Sequence, residues 1–234
     1  MSADLSFRRE LRELQRAHPL FQRVHPFWRD CFRGRLEIAD VQRWAVDVYP
    51  VVRDFARLYV QVAAKCESER MLTFLAETIF EETGSGVEAE SHPTLFRGFL
   101  HALGVKGVSI SAVSATVAGR EFFDFAWKLA REGSFLEGLA LVGLAIERPL
   151  PQFFQMIAQA FKRHHDLDEQ AVRFFAVHTV ADVKHSQVAS RIVGELAQTP
   201  AQQERVRQIL TRVWDLQRRQ LDELHASVGV ERAA

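Results

Sequence analysis

Apolar residues recur at a helical interval along almost all of this 234-residue chain, and no segment shows a sustained alternation bounded by hairpin turns. That pattern leaves an all-α fold. A 47% hydrophobic content is enough for a sizeable core. No internal repeat, low-complexity tract or linker divides the chain, so residues 1–234 read as one domain, a bundle of seven to eight helices.

Prolines, glycines and capping residues place the helix ends. Ser6 to Arg16 reads as an amphipathic opening helix, and the pairs His18-Pro19 and His25-Pro26 punctuate a short helix ending near Gly34. Asp40 is the expected N-cap of a long helix running to about Lys65, with Pro50 as a kink point. Glu67 to Glu82 form the next helix, followed by the loop TGSGVEAES. Ser91-His92-Pro93 opens a helix to about Leu103 that Gly104 and Gly107 end. Further helices are expected at about 111–132, 135–160, 168–196 and 200–227.

Thirty basic and thirty acidic residues cancel, so no net field draws the chain to nucleic acid or an anionic membrane. The longest uncharged apolar run, GLALVGLAI at 138–146, is too short to span a bilayer, and the polar N-terminus has no signal-type apolar region. A cytoplasmic protein acting on small molecules, assembled as a homodimer, is the expectation. Only Cys31 and Cys66 are present, with no CxxC, so any metal must be held by histidine and carboxylate.

The stretch FFAVHTVADVKHSQVA, 174–189, carries such groups. At 100° per residue, His178, Asp182 and His185 fall within roughly 60° of arc, on the side shared with Phe174, Phe175, Ala189 and Ile192. Three titratable groups facing a core need mutual hydrogen bonds or a cation. Glu147 sits on a helix that is apolar nearly all round; an ion pair with Arg148 is its alternative role. Glu82 continues the apolar stripe of Leu72, Leu75 and Ile79, which turns it inward and Glu81 outward. His92 follows across the glycine loop, where Glu88 and Glu90 are substitute carboxylates. Three carboxylates and three imidazoles suit iron or manganese, and six ligands are too many for one catalytic ion with open positions. Two ions about 3.5 to 4 Å apart fit better. Asp54, an additional candidate, would balance the remaining positive charge; the alternative is an exposed charge beside Arg53.

From about Trp44 to Gly194 the chain resembles the heme-oxygenase-like diiron oxidases, which share their fold with thiaminase II and pyrroloquinoline-quinone synthase. The resemblance is carried by His178-x-x-x-Asp182-x-x-His185, by Glu147, and by IFEETGSG followed by SHPTLFRGFLHALG, which contain Glu82 and His92. It implies two Fe(II) ions, O2 as co-substrate, no heme, and oxidation of a small metabolite with an external electron donor. The reactions it implies are N-oxygenation of an amine, then oxidative C–C cleavage of an amino acid, then fatty-acid decarboxylation. Nine residues separate Glu82 from His92, where many members place six, a spacing more like that of the N-oxygenases. The two-fold Glu-x-x-His pattern of ferritin-like diiron proteins is absent from the sequence.

Two rival functions remain at this level. One is a metal-free enzyme of the same fold, thiaminase-like or quinone-synthase-like; a thiaminase would need a catalytic cysteine. The other is a non-catalytic interaction protein whose polar core fixes helix register. Of the other histidines, His18 and His25 read as helix boundaries, His164 and His165 as a solvated turn, and His101 and His225 as surface. Tyr49 and Tyr59 read as structural. Most of the eighteen phenylalanines read as core, with a subset lining an apolar cavity.

Overall fold

The computed structural model describes residues 3–107 and 113–228, apart from the side chains of 3, 4, 180 and 181, and contains helices and no strand among them. In chain order the helices are α1 (Ala3–Ala17), α2 (Pro19–Gln22), α3 (Pro26–Phe32), α4 (Ile38–Ala63), α5 (Glu69–Glu82), α6 (His92–Ala102), α7 (Val117–Glu132), α8 (Phe135–Leu139), α9 (Leu150–His165), α10 (Arg173–Leu196) and α11 (Pro200–Ala226). The long helices match the expected bundle. The short pieces α2, α3 and α8 raise the number above seven to eight, because prolines and caps cut the chain more often than its periodicity shows.

Several boundaries differ from expectation for local reasons. Glu37, not Asp40, is the N-cap of α4; Asp40 is the third helical residue, and its carboxylate accepts the Glu37 N–H at 2.9 Å. α4 continues through Pro50. The helix expected from 111 begins at Val117 behind a Thr116 cap, and positions 111 and 112 lie outside the described residues. The single helix expected over 135–160 is three segments: α8, a π-helical stretch Ala140–Glu147, and α9 beyond Arg148-Pro149. Pro149 has no N–H for the Ala145 carbonyl four residues earlier, and that carbonyl instead accepts the Trp214 indole N–H at 3.1 Å.

Two apolar clusters organise the interior. One gathers α1, the C-terminal half of α4, α5, the π segment and much of α11; the other gathers α3, the N-terminal half of α4, α6 and α9. α10 belongs to both. Its Phe174 and Phe175 sit in the second cluster and its Ala189, Ile192 and Val193 in the first. His178, Asp182 and His185 therefore lie where α10 crosses the seam between the two. Close packing there depends on Gly143 of the π segment, where an added Cβ would lie 2.3 Å from the Cβ of Ala189.

Candidate metal centre

Four elements converge at the seam. Glu82 is the last residue of α5, 2% exposed, on a buried stripe formed by Met71, Leu75 and Thr78; Leu72, expected on it, faces solvent. The loop that follows turns sharply at Gly84, with φ +91° and backbone atoms so close that a Cβ would sit 2.2 Å from the Val87 carbonyl oxygen. That turn returns His92, the first residue of α6, to Glu82: His92 Nδ1 lies 2.7 Å from Glu82 Oε2. The pair approaches without forming an aligned hydrogen bond, and Glu82 Oε1 and His92 Nδ1 are buried without a hydrogen-bond partner.

His178 lies beside His92, with ring centroids 4.1 Å apart and the ring planes tilted by 51°. Its Nδ1–H donates to the Phe174 carbonyl at 2.7 Å, which leaves Nε2 as the lone-pair nitrogen. Burial, followed by the neighbouring His92 ring, pushes the His178 pKa down to about 4. It is a neutral imidazole at ordinary pH, the form a metal requires.

On the other side of Glu82, Glu147 is 1% exposed at the end of the π segment. Its Oε1 lies 3.3 Å from His185 Nδ1, and its Oε2 accepts the Tyr59 hydroxyl at 2.7 Å. His185 Nε2 lies 2.6 Å from Glu81 Oε2. Burial disfavours the imidazolium, but the hydrogen bond and charge of Glu147, with Glu81 and Glu82, outweigh it and raise His185 to about 9. Without a metal His185 thus holds a proton between two carboxylates, and a metal bound through its ring would displace that proton. For Glu147 itself, burial dominates and holds the carboxyl above its usual range. For Glu82, burial is outweighed by His92, and its carboxyl is held below that range.

Asp182 is the least satisfied group in this cluster. It is fully buried on the same face of α10, and neither of its oxygens has a hydrogen-bond partner. Burial, then the charges of Glu147 and Glu82, pushes its pKa well above the usual aspartate value. A buried carboxylate with no donor and two acidic neighbours is what a bound cation would compensate. Ligand atoms from Glu82, His92 and His178 lie within 4.8 Å of one another, as do those from Glu82, Glu147 and His185. Glu82 is common to both groups. The donor set, carboxylate and imidazole with no sulfur, fits iron.

The remaining candidates are placed elsewhere. Asp54 is buried, not exposed, and is bound by Arg53 and Arg57, each at 2.7 Å; it enters neither ligand group. Glu88 is exposed on a short 3-10 turn, and Glu90 pairs with Arg173 at 2.6 Å. Arg148 turns to Gln15 and the Leu11 carbonyl rather than to Glu147. Glu81, expected to face outward, reaches His185, and Tyr59, read as structural, donates to Glu147. The signal for Tyr59 was a hydroxyl on an otherwise apolar stripe with Phe55 and Val62. His18 and His25 do cap helices through Nδ1, to Leu20 and Phe27 N–H, while Nε2 meets Asp215 and Asp222. His225 is half-buried and bonded to Asp30, and His164 and His165 end α9 rather than occupying a turn. Cys31 is fully buried, and burial pushes its thiol up to about 12, so it is no nucleophile.

A family model described as iron-containing redox enzyme matches residues 42–218. The chain is 28% identical over 152 residues to a 4-aminobenzoate synthase of Nitrosomonas europaea, a match covering 64% of this chain and 60% of that relative's length. It is 22% identical over 162 residues to a 4-aminobenzoate synthase of Chlamydia pneumoniae, covering 69% of this chain and 70% of the relative. A crystal structure of a domain of unknown function with a heme-oxygenase-like fold, from Shewanella denitrificans, superposes with a TM-score of 0.71 at 16% identity. That alignment covers 95% of this chain and 90% of the other, and it shows a shared fold.

Proposed function

The chain belongs to the iron-containing redox enzyme family, and from that premise we propose that it is a non-heme diiron oxygenase or oxidase that uses O2 on a small molecule. The observation that carries this reading is the pair of ligand groups sharing Glu82; Asp182 enters neither group, but it is buried, unpartnered and within reach of the charges of Glu147 and Glu82. Glu82, His92 and His178 would hold one iron, and Glu82, Glu147 and His185 the other, with Asp182 completing the set. Bound iron would supply O2 activation and electron transfer.

The protein's own contribution is orientation and charge. The Phe174 carbonyl fixes the His178 tautomer, Glu81 turns the His185 ring so that Nδ1 faces Glu147, and the Tyr59 hydroxyl holds the Glu147 carboxylate. Phe154 and Phe174 pack against His178, at centroid distances of 5.5 and 4.2 Å, and exclude water from that side. Among reactions, N-oxygenation of an amine ranks first. The nine-residue interval between Glu82 and His92 and the relatives named 4-aminobenzoate synthase support chemistry at nitrogen. Oxidative C–C cleavage of an amino acid and fatty-acid decarboxylation follow. An external electron donor, a homodimeric assembly and a cytoplasmic location belong to the same reading; no helix among the described residues is long and apolar enough to cross a membrane.

The test is an anaerobic Fe(II) titration followed by mixing with O2 under optical monitoring, repeated with His178→Ala. Two irons per chain and a transient visible absorbance are expected for the wild type, with loss of at least one iron in the variant. Fewer than one iron per chain at saturation would sink the diiron reading.

A further inference from the structure

Glu147 stands at a weak point of the backbone. The π segment Ala140–Glu147 ends on it, and Pro149, two residues further on, leaves the Ala145 carbonyl without its helical donor. An unbroken helical ladder fixes where a side chain starts. Here the ladder is interrupted, so the place of Glu147 depends on what grips the chain on either side. The Tyr59 hydroxyl and the His185 ring orient the carboxylate, but they do not hold the main chain beneath it.

Two grips are present. Before Glu147, the Trp214 indole N–H donates to the Ala145 carbonyl. After it, Arg148 reaches across to α1, where its Nε–H donates to Gln15 Oε1 at 2.8 Å and its Nη2–H to the Leu11 carbonyl at 3.0 Å. Leu11 and Gln15 are four residues apart on one face of α1, so the planar fork meets both at once. α1 is a firm base for this grip: its Phe7 and Leu11 belong to the same buried apolar cluster as Leu144 and Ile146 of the π segment.

The guanidinium gains little else there. Its Nη1 is buried without a hydrogen-bond partner, no carboxylate among the described residues pairs with it, and burial, then the charge of Arg12, disfavours the cation. An apolar side chain of similar length would avoid that cost. It could not, however, bind two acceptors on another helix.

We propose that Arg148 is a positioning residue: by tying the chain after Glu147 to α1, it sets where that carboxylate stands in the ligand group Glu82, Glu147 and His185. The role at a metal rests on the diiron reading; the anchoring of the segment does not. Glu82, His92 and His178 lie on α5, α6 and α10, outside the anchored stretch, so the effect falls on one of the two ligand groups. α1, which carries none of the ligand candidates, becomes part of the support of the centre.

Two readouts test this, neither of which needs turnover. The first is anaerobic Mn(II) binding, followed by electron paramagnetic resonance of the free ion. In a His178→Ala background, where Glu82, Glu147 and His185 remain, Arg148→Lys should raise the Mn(II) Kd about tenfold. In a His185→Ala background, where Glu82, His92 and His178 remain, the same change should leave the Kd as it was. Lysine keeps the charge and loses the fork. Arg148→Met removes a charge that repels the ion, and it should still weaken binding, whereas a purely electrostatic effect would tighten it. Gln15→Ala should weaken binding in the same direction and add nothing to Arg148→Met. Equal weakening in both backgrounds, tighter binding in Arg148→Met, or additive effects of Gln15→Ala and Arg148→Met overturn the proposal. The second readout is amide hydrogen exchange of the metal-free protein: Arg148→Lys should speed exchange over residues 143–148 and leave α6 unchanged. Unchanged exchange in that segment removes the anchor. A wild-type protein that binds no Mn(II) sinks the diiron reading, and faster exchange confined to the segment then keeps the anchor without it.

Discussion

At the scale of single residues, the cluster is organised by what its members lack. A structural network would leave each buried polar atom paired, since an unpaired one costs on the order of 1–3 kcal/mol. Here Asp182 has two unpaired oxygens and Glu82 one. Asp182→Asn removes a carboxyl that burial and two acidic neighbours disfavour in ionised form, while keeping its shape. The metal-free variant is expected to melt at or above the wild-type temperature, and its Fe(II) stoichiometry should fall from two to one or fewer. Paired calorimetric melting and iron titration check this. A substantial drop in melting temperature with iron binding intact would mark Asp182 as a structural residue.

At the scale of elements, short segments depend on side chains that titrate. His18 and His25 cap α2 and α3 through an unprotonated Nδ1. Burial lowers both pKa values from 6.5, against the opposing pull of Asp215 and Asp222. The unfolded chain then takes up protons first as the pH falls below 6.5, so stability falls with it and continues to fall until the lowered folded pKa values are passed. His178 contributes in the same direction. In the double variant His18→Asn/His25→Asn, the asparagines keep a capping acceptor without a titrating ring. Its loss of melting temperature between pH 7 and pH 5 should be smaller than that of the wild type by about 2–4 °C. An unchanged pH slope would show that these caps do not carry the effect.

At the scale of the whole molecule, the ligand candidates come from α5, α6, the π segment and α10, and they sit where two apolar clusters meet. A divalent ion bound there would tie both halves of the interior together, stabilising the native state by about 2.7 kcal/mol at a hundredfold excess over Kd. Mn(II), added without O2, is expected to raise the melting temperature of the entire protein in one transition, and Glu82→Gln should remove most of that rise. A stabilisation equal in wild type and variant would place the ion elsewhere.

Much of this was legible in the residues alone. Helical periodicity specified the all-α class, and the phase of His178, Asp182 and His185 put all three on the buried face of α10, because side-chain direction within a helix follows from position. The inward turn of Glu82 and the lone carboxylate at Glu147 were equally local facts. Partnerships across elements were not. That Tyr59 donates to Glu147, that Glu81 reaches His185, and that Asp54 is bound by Arg53 and Arg57 depend on how helices are rotated and brought together. The break at Pro149 was visible as a residue, but the π segment before it forms in partnership with the Trp214 indole from α11. The apolar cavity lined by Trp28, Trp44, Val52 and Phe154 likewise exists only between packed helices. Sequence by itself determined which helix faces turn titratable groups toward the core, since that is set within one helix; tertiary structure decided which faces meet, because contacts between distant segments are set by packing of the whole chain.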